Sequence, residues 1–150
     1  MSLEAFVRES NKIEGIMRDP TPQEIEAHMA LIKIRSGVTV DDIARFVGVI
    51  APKHVLRNKI GLDVRVGGHI APPGGDNIKY ALIDILAGTR NVNPYQTHLA
   101  YERLHPFTDG NGRSGRVLWL WHMFERGQGE ISLRRGFLHS FYYQTLDAND

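Results

Sequence analysis

The chain has 150 residues, of which 42% are hydrophobic and 23% are charged. This composition is typical of a single globular domain over residues 1–150, and it excludes collagen-like, coiled-coil and wholly disordered chains. Eighteen Lys and Arg residues balance 17 Asp and Glu residues, giving a formal net charge of +1. The overall charge therefore offers no case for nucleic-acid or anionic-membrane binding. Cysteine is absent, which excludes disulfides, thiolate nucleophiles and cysteine-ligated metals.

No part of the sequence has the pattern of a targeting or membrane segment. Residues 1–15 carry charges every few positions and lack the apolar stretch of a signal peptide. No window holds the roughly 18 uninterrupted apolar residues that a membrane span requires. We therefore expect a soluble, cytoplasmic protein with neither a membrane nor a nucleic acid as partner.

Apolar residues at helical spacing predict helices along most of the chain. The first helix is predicted over residues 2–16. The second follows Thr21, a good N-cap with Pro22 after it, and runs to about Arg35. The residues of this second helix that we expect to be buried are Ile25, Met29 and Ile32, with Leu31 as a further candidate.

The same spacing predicts the later helices. The third is capped by Thr39 or Asp41, and the fifth begins at Pro94. Each of these helices has its own set of apolar residues. The sets are Ile43, Phe46, Val47 and Ile50 in the third helix; Ile78, Leu82, Ile85 and Leu86 in the fourth; Leu99, Ala100 and Leu104 in the fifth; Val117, Leu118, Leu120, Trp121 and Phe124 in the sixth; and Phe137, Leu138, Phe141, Tyr142 and Leu146 in the last. The wide apolar face that begins at Val117 is typical of a central helix.

Residues 60–76 interrupt the helical pattern. Leu62, Val64 and Val66 alternate with polar neighbours, and Gly67 and Gly68 follow as a turn before a short return through Ile70. This arrangement predicts a β-hairpin. The fold class predicted for the chain is therefore all-α, with one small hairpin.

The segment with the clearest chemical content is HPFTDGNGRSGR, residues 105–116, between two predicted helices. Its glycines let backbone N–H groups turn toward one point, and the following helix adds its positive N-terminal end. Arg113 and Arg116 are fork-shaped donors suited to phosphate oxygens. Asp109 is a hard oxygen ligand for Mg²⁺, and a neutral His105 accepts protons. Each part alone is ordinary turn or surface chemistry, but the combination indicates a nucleotide-phosphate site.

HPFTDGNGRSGR also resembles the signature loop of Fic-domain proteins, usually written HPFx(D/E)GNGRxxR, and every specified position is present. Residues 64–75, VRVGGHIAPPGG, resemble the flap of that family, and THLAYERLHPF resembles the helix that leads into the loop. FLHSFYYQTL near the end has the same family character. The resemblance covers about residues 1–146 and implies a single Fic-type helical domain.

The resemblance implies an ATP-dependent transfer of AMP to a hydroxyl-bearing side chain of a target protein. It makes His105 the general base, with Phe107 anchoring the loop in the core. It also assigns Mg²⁺ binding to Asp109. The residues expected to bind phosphate are Asp109, Gly110, Asn111, Gly112, Arg113 and Arg116, the last of them at the γ-phosphate.

In the family, the flap holds a segment of the target as an added strand. The resemblance therefore implies that Val66, Gly67, Gly68 and His69 dock the target. From the residues alone, His69 is more simply an exposed hairpin residue, and we expect His98 to be a packing residue.

Residues 10–15, SNKIEG, resemble the (S/T)xxxE(G/N) inhibitory motif of Fic proteins. Ser10 and Glu14 are four residues apart and so share one face of a helix. We expect Glu14 to pair with Arg116 and to occupy the space that a γ-phosphate needs. Residues 1–17 would then form an intramolecular inhibitory helix.

The leading hypothesis is an autoinhibited, Mg²⁺-dependent protein adenylyltransferase. One alternative is a de-AMPylase in which Glu14 aligns a water molecule to remove AMP, and another is a nucleotide-bound module that binds a partner. Phosphate transfer ranks below these, and transfer of another nucleotide or of phosphocholine stays open. The sequence does not identify the target, the modified residue type, the oligomeric state or the residues of the adenine pocket.

Overall fold

The computed structural model describes residues 2–148, so Met1, Asn149 and Asp150 of the predicted domain lie outside it. Within that range the fold is all-α with one small hairpin, as predicted. The helices are α1 Leu3–Ile13, α2 Pro22–Ile32, α3 Val40–Ile50, α4 Asp76–Ala87, α5 Pro94–Leu104, α6 Asn111–Glu125, α7 Gly129–Arg135 and α8 Phe137–Ala148. Over the described residues, no helix combines the length and apolar character needed to span a membrane.

Helix α6 is the centre of the fold, and its buried residues lie on all of its faces. Val117, Leu118 and Trp121 pack into one cluster with α3, α4 and α5. Trp119 and Leu120 pack into a second cluster with α1 and the start of α8. A helix that is buried around its circumference must be covered on every side, and the neighbours of α6 provide that cover.

The predicted helix starts at Thr21 and Thr39 are confirmed. The Thr21 hydroxyl accepts the N–H of Glu24 at 3.1 Å, and the Glu24 carboxylate accepts the N–H of Thr21 at 2.8 Å. Thr39 forms the same reciprocal box with Asp42, so Thr39 rather than Asp41 is the cap of α3. Each box satisfies two backbone donors that the first turn of a helix leaves free.

The predicted buried face of α2 is wrong in part. Met29 is 37% exposed, whereas the polar residues Glu24 and His28 are buried. Glu24 also forms a two-pronged ion pair with Arg18 at 2.9 and 3.1 Å, and that pair lowers its pKa to about 2. The reason for the error is that a carboxylate with this many donors can replace an apolar residue at the buried position. Helix α2 also ends at Ile32, short of the predicted end near Arg35.

Three other elements differ from the predictions. Helix α1 ends at Ile13, short of the predicted end at residue 16. Helix α7 was not predicted, because seven residues that begin at a glycine carry too little apolar periodicity. The hairpin has two residues in each strand, β1 Arg65–Val66 and β2 His69–Ile70, paired antiparallel. Leu62 and Val64 of the predicted hairpin lie outside it, and the Leu62 carbonyl instead accepts a hydrogen bond from Arg57.

Helix α1 is docked on α6 and α8 through its apolar side. Phe6 and Val7 have no exposed surface, and the Phe6 ring stacks on Trp119 with centroids 6.5 Å apart. The Glu9 carboxylate accepts the N–H of Phe137 at 2.6 Å, at the start of α8. Because Ser10 and Glu14 follow on the same segment, this packing fixes where they lie.

We expect Phe6→Ala to lower the free energy of unfolding by about 3–5 kcal/mol, the usual cost of deleting a buried aromatic ring. Urea denaturation followed by circular dichroism measures this change. Met17→Ala is the matched control, because Met17 is 70% exposed and its loss leaves no cavity. Equal losses of stability in the two variants would contradict the docking of α1.

Candidate active site

The segment of residues 105–116 begins where α5 ends, at a strained residue. His105 is the C-cap of α5 with φ 51° and ψ 62°, and over residues 2–148 it is the one non-glycine residue with a positive φ. This left-handed conformation costs an L-residue roughly 1–2 kcal/mol. It turns the chain sharply out of α5, and the surrounding structure must hold it.

Arg57 supplies that support. Its guanidinium has no exposed surface and donates to the carbonyl of His105 at 2.7 Å and to that of Leu104 at 2.8 Å. The same group donates to the carbonyls of Leu62 and Pro72 at 3.0 and 2.8 Å. One buried side chain therefore fastens the strained turn to both ends of the hairpin segment. Sequence reasoning missed Arg57, because a single arginine in an irregular stretch carries no motif.

The next residues of the loop pair with the backbone around Arg57. The N–H of Arg57 donates to the carbonyl of Pro106 at 2.8 Å, and the N–H of Thr108 donates to that of Val55 at 3.0 Å. Leu56 and Phe107 form an antiparallel bridge, and Phe107 is 1% exposed. The loop is therefore held on one side along its length.

Asn111 and Gly110 shape the end of the loop. The Asn111 side chain accepts the N–H of Phe107 and donates to its carbonyl, both at 2.8 Å, so it closes the loop internally. Gly110 has φ 81°, and a Cβ there would lie 3.1 Å from Ile50. As the N-cap of α6, Gly110 gives the first turn no side-chain cap. The N–H groups of that turn and the positive end of the helix suit an anion.

The His105 imidazole is oriented by its own helix. Its Nδ1 lies 3.3 Å from the carbonyl of Glu102, and because a carbonyl only accepts, we assign the proton to Nδ1. Nε2 is then free of a proton. Burial lowers the pKa of His105 below its ordinary value, which keeps the ring neutral at pH 7. A neutral ring with an open nitrogen is the form that acts as a general base.

The hairpin is fastened beside His105. His69 is exposed and its Nε2 donates to the carbonyl of Arg103 at 3.0 Å, two residues before His105. Gly67 and Gly68 form the exposed turn between the two strands. The backbone of Val66 pairs with His69 in that ladder, and its side chain lies outside the described part of the structure. The turn residues expected to dock a target thus lie next to the candidate base.

Asp109 is the candidate metal ligand. Its Oδ1 accepts the N–H of Gly110 at 2.8 Å, and its Oδ2 lies 3.7 Å from His54 Nε2. The side chain is 61% exposed. Within residues 2–148, no group of three or more His, Cys, Asp or Glu side chains is placed to hold a metal ion. An ion here would need oxygen ligands from a bound substrate in addition to Asp109, which fits the way Mg²⁺ binds with phosphates.

The two arginines of the segment contact different helices. Arg113 donates to the carbonyl of Ile50, at the end of α3, at 3.0 Å. Arg116 turns to α1, where its Nε donates to the Ser10 hydroxyl at 2.7 Å and its Nη2 to the Ser10 carbonyl at 2.9 Å. Nη2 also pairs with a Glu14 carboxylate oxygen at 2.7 Å. The expected contact between Glu14 and Arg116 is therefore present.

Glu14 also covers the first turn of α6. A Cβ built on Gly112 would overlap the Glu14 carboxylate, so only a glycine leaves room for it there. Glu14 is the C-cap of α1 rather than part of the helix, and its side chain stays 37% exposed. The carboxylate thus occupies the region where the backbone of α6 suits an anion.

Comparison with known proteins agrees with this geometry. The sequence profile of the Fic/DOC family matches residues 8–123, which is most of the chain. The chain belongs to the Fic/DOC family. It is similar to the protein named protein adenylyltransferase Fic from Culex quinquefasciatus, at 30% identity over 97 residues, or 58% of this chain and 19% of that protein. The protein of the same name from Aedes aegypti is 27% identical over 96 residues, with the same coverage. The chain therefore spans about a fifth of the length of these curated relatives.

We expect Arg57→Lys to destabilise this Fic domain by about 3 kcal/mol or more. A lysine keeps the charge but presents a compact ammonium group with three donors, which cannot reach all four carbonyls. Urea denaturation measures the loss, and hydrogen exchange at the Phe107 and Thr108 amides reports on the loop. Arg45→Lys is the control, because the Arg45 side chain is 77% exposed. If both variants were equally stable, Arg57 would not support the loop.

Proposed function

We propose that this Fic protein transfers AMP from ATP to a hydroxyl side chain of a target protein and that Glu14 restrains the transfer. The main support is the loop of residues 105–111, which combines a neutral imidazole, an exposed carboxylate and an uncapped helix N-terminus. The names of the relatives from Culex quinquefasciatus and Aedes aegypti support the same reaction. Protein adenylylation uses all three features.

The phosphates of ATP would bind at the start of α6. The backbone N–H groups of Gly110, Asn111 and Gly112 would face the diphosphate, where the helix end favours negative charge. Arg113 would contact the same phosphates, and Arg116 would take the γ-phosphate once Glu14 leaves it. Such a site supplies positioning and charge neutralisation, the main requirements of displacement at phosphorus.

In the transfer step, the hydroxyl oxygen of the target attacks the α-phosphorus of ATP. The bond between that phosphorus and the bridging oxygen breaks, and pyrophosphate leaves. His105 Nε2 takes the proton of the hydroxyl, which is the role of a positioned general base. The open Nε2 and the neutral ring are the properties that this step requires.

Asp109 fits the role of a Mg²⁺ ligand. Its carboxylate is exposed beside the anion-binding end of α6, and Mg²⁺ prefers one or two carboxylates together with phosphate oxygens. When bound, the ion neutralises phosphate charge. Asp109 would hold it in place against the loop.

The target would dock on the hairpin. Residues 65–70 present a short exposed ladder whose backbone can pair with an extended segment. The bond between His69 and the Arg103 carbonyl keeps this ladder close to His105. A hydroxyl side chain of the docked segment would then point toward the base.

The restraint follows from the contacts of Arg116. A guanidinium that is buried with Ser10 and Glu14 would be costly to leave unpaired, and the same group is needed for the γ-phosphate. Glu14 also covers the backbone of Gly112. ATP would therefore bind productively only after the Glu14 carboxylate has moved aside.

We expect Glu14→Gly to raise labelling of protein from ATP that carries its label on the α-phosphate, by about 5- to 150-fold, the usual range of coupling between two states of a site. His105→Ala in the same background should lower the rate by about 10²–10⁴-fold, the usual contribution of a general base. The assay contains Mg²⁺ and compares each protein alone and with a cell lysate.

Glu4→Gln is the matched control for the restraint. Glu4 is an exposed carboxylate on α1 that lies 3.8 Å from Arg8 and does not contact Arg116, so its rate should equal that of the wild type. Label from the γ-phosphate alone would contradict adenylylation in favour of phosphate transfer. Label from neither position, in every variant, would contradict transfer altogether. Release of AMP from a modified protein by the wild type and not by Glu14→Gly would favour the de-AMPylase alternative.

A further inference from the structure

Glu102 is a carboxylate that the proposed reaction leaves without a role. It lies on α5 and faces α6, where its Oε1 is so close to Gly115 that a Cβ on that residue would overlap it. Oε1 is fully buried and has no hydrogen-bond partner among the described residues. A buried, unpaired carboxylate oxygen is costly if the group is ionised.

The contacts of His98 indicate which of its ring nitrogens carries a proton and which one faces Glu102. Its Nδ1 lies 3.0 Å from the carbonyl of Gly115, and because a carbonyl only accepts, Nδ1 carries the proton of the neutral ring. Nε2 is then a lone pair, and it faces Glu102 Oε1 at 3.8 Å. Two acceptors that face each other in a buried place are stabilised when one of them is protonated. Protonation of Glu102 removes the repulsion between the two atoms, although 3.8 Å is too long for a hydrogen bond.

The groups around the pair favour its neutral form. Burial is the largest influence on Glu102 and raises its pKa to about 7. Arg116 on α6 lowers this pKa, and Glu14 at the end of α1 raises it. Burial likewise lowers the pKa of His98 to about 4. From α8 comes the ring of Phe137, whose centroid lies 5.4 Å from that of His98 and 6.0 Å from the Arg116 guanidinium carbon. The Tyr101 hydroxyl on α5 shares a hydrogen bond with the Ser114 hydroxyl. Burial raises the pKa of Tyr101, so it stays neutral.

Loss of the proton from Glu102 would therefore add a negative charge close enough to act on Arg116. Residue 115, against which Glu102 packs, immediately precedes Arg116 in α6. The Glu102 side chain keeps 29% of its surface exposed, so its proton can exchange with solvent. In the present state, Glu14 balances the charge of Arg116, and a neutral Glu102 adds nothing to that balance.

We propose that Glu102 determines the preference of this site for a triphosphate, because a neutral Glu102 leaves the charge of Arg116 to the γ-phosphate, whereas an ionised Glu102 offsets part of that charge and repels the phosphate. This inference rests on the proposed function, since it takes Arg116 as the γ-phosphate ligand. The sign follows from linkage. ATP binding favours the protonated form of Glu102, so the affinity for ATP is greatest below pH 7 and declines as the pH rises through about 7.

The test measures nucleotide binding rather than transfer. Isothermal titration of ATP and ADP, with Mg²⁺, is carried out between about pH 6 and pH 8.5 on Glu14→Gly and on Glu14→Gly with Glu102→Gln. In Glu14→Gly, the ratio of ATP affinity to ADP affinity should fall by at least about fivefold over this range. Glutamine is neutral at every pH, so the second protein should keep a constant ratio. The titration of the nucleotides themselves is the same for both proteins and cancels in the comparison.

Glu130→Gln in the Glu14→Gly background is the matched control. Glu130 is exposed on α7, and its loss should leave the slope of Glu14→Gly unchanged. Equal pH slopes with and without Glu102 would overturn the inference while leaving the proposed function in place. Absence of ATP binding to every variant at every pH would overturn the proposed function, and the inference with it.

A second measurement follows the ionisation of Glu102 directly. Carbon-13 NMR follows the carboxyl carbons of glutamate in Glu14→Gly, with the Glu102 signal assigned by its loss in Glu102→Ala or Glu102→Gln. The inference expects a titration midpoint that burial holds above the ordinary value, and it expects ATP to move that midpoint to higher pH more than ADP does. A midpoint near the ordinary value of about 4.3, or equal shifts with the two nucleotides, would overturn it.

Discussion

The buried guanidinium of Arg57 is the contact on which the rest of the candidate site depends. It binds backbone carbonyls at both ends of the hairpin segment and at the turn of His105. The left-handed conformation of His105 is unfavourable by itself, and five donors in one rigid fork are enough to hold it. Because the same side chain holds the hairpin segment and the loop, the proposed base and the proposed docking strand keep a fixed relation. The bond from His69 to the Arg103 carbonyl adds a second link between the two.

Arg116 is the second point at which several parts of the molecule meet. In this structure it is paired with Ser10 and Glu14, and under the proposed function it must also bind a γ-phosphate. Helix α1 is held by Phe6, Val7 and the contact of Glu9 with α8, whereas Glu14 follows the last helical residue and is partly exposed. Displacing one carboxylate disturbs far less apolar burial than undocking the helix. We therefore expect release of the restraint to involve the Glu14 side chain, with α1 in place.

The fold places two carboxyl groups around Arg116, and under the proposed function their ionised forms would oppose the binding of a phosphate there. Glu14 contributes a fixed pairing partner and Glu102 a carboxyl group whose charge depends on pH. Both act over short distances in a poorly solvated region, where electrostatic effects are stronger than in water. Fic/DOC membership accounts for the loop that is proposed to bind phosphate. The pair formed by His98 and Glu102 depends on side chains outside that loop, and it is the part of the site that needs its own test.

The sequence by itself determined the all-α class, the starts of α2 and α3, the short hairpin and the segment that becomes the candidate site. These follow from local rules: helical spacing, capping boxes and a loop whose glycines and charged residues are adjacent in the chain. The burial of Glu24, the irregular stretch around Arg57 and the buried side of Glu102 had no local signal. They depend on which backbone carbonyls and charges approach from distant segments, and only the tertiary structure decides that. The pairing of Ser10 and Glu14 with Arg116 lies between these cases, because the motif indicates the partners and the docking of α1 on α6 brings them within 2.7 Å.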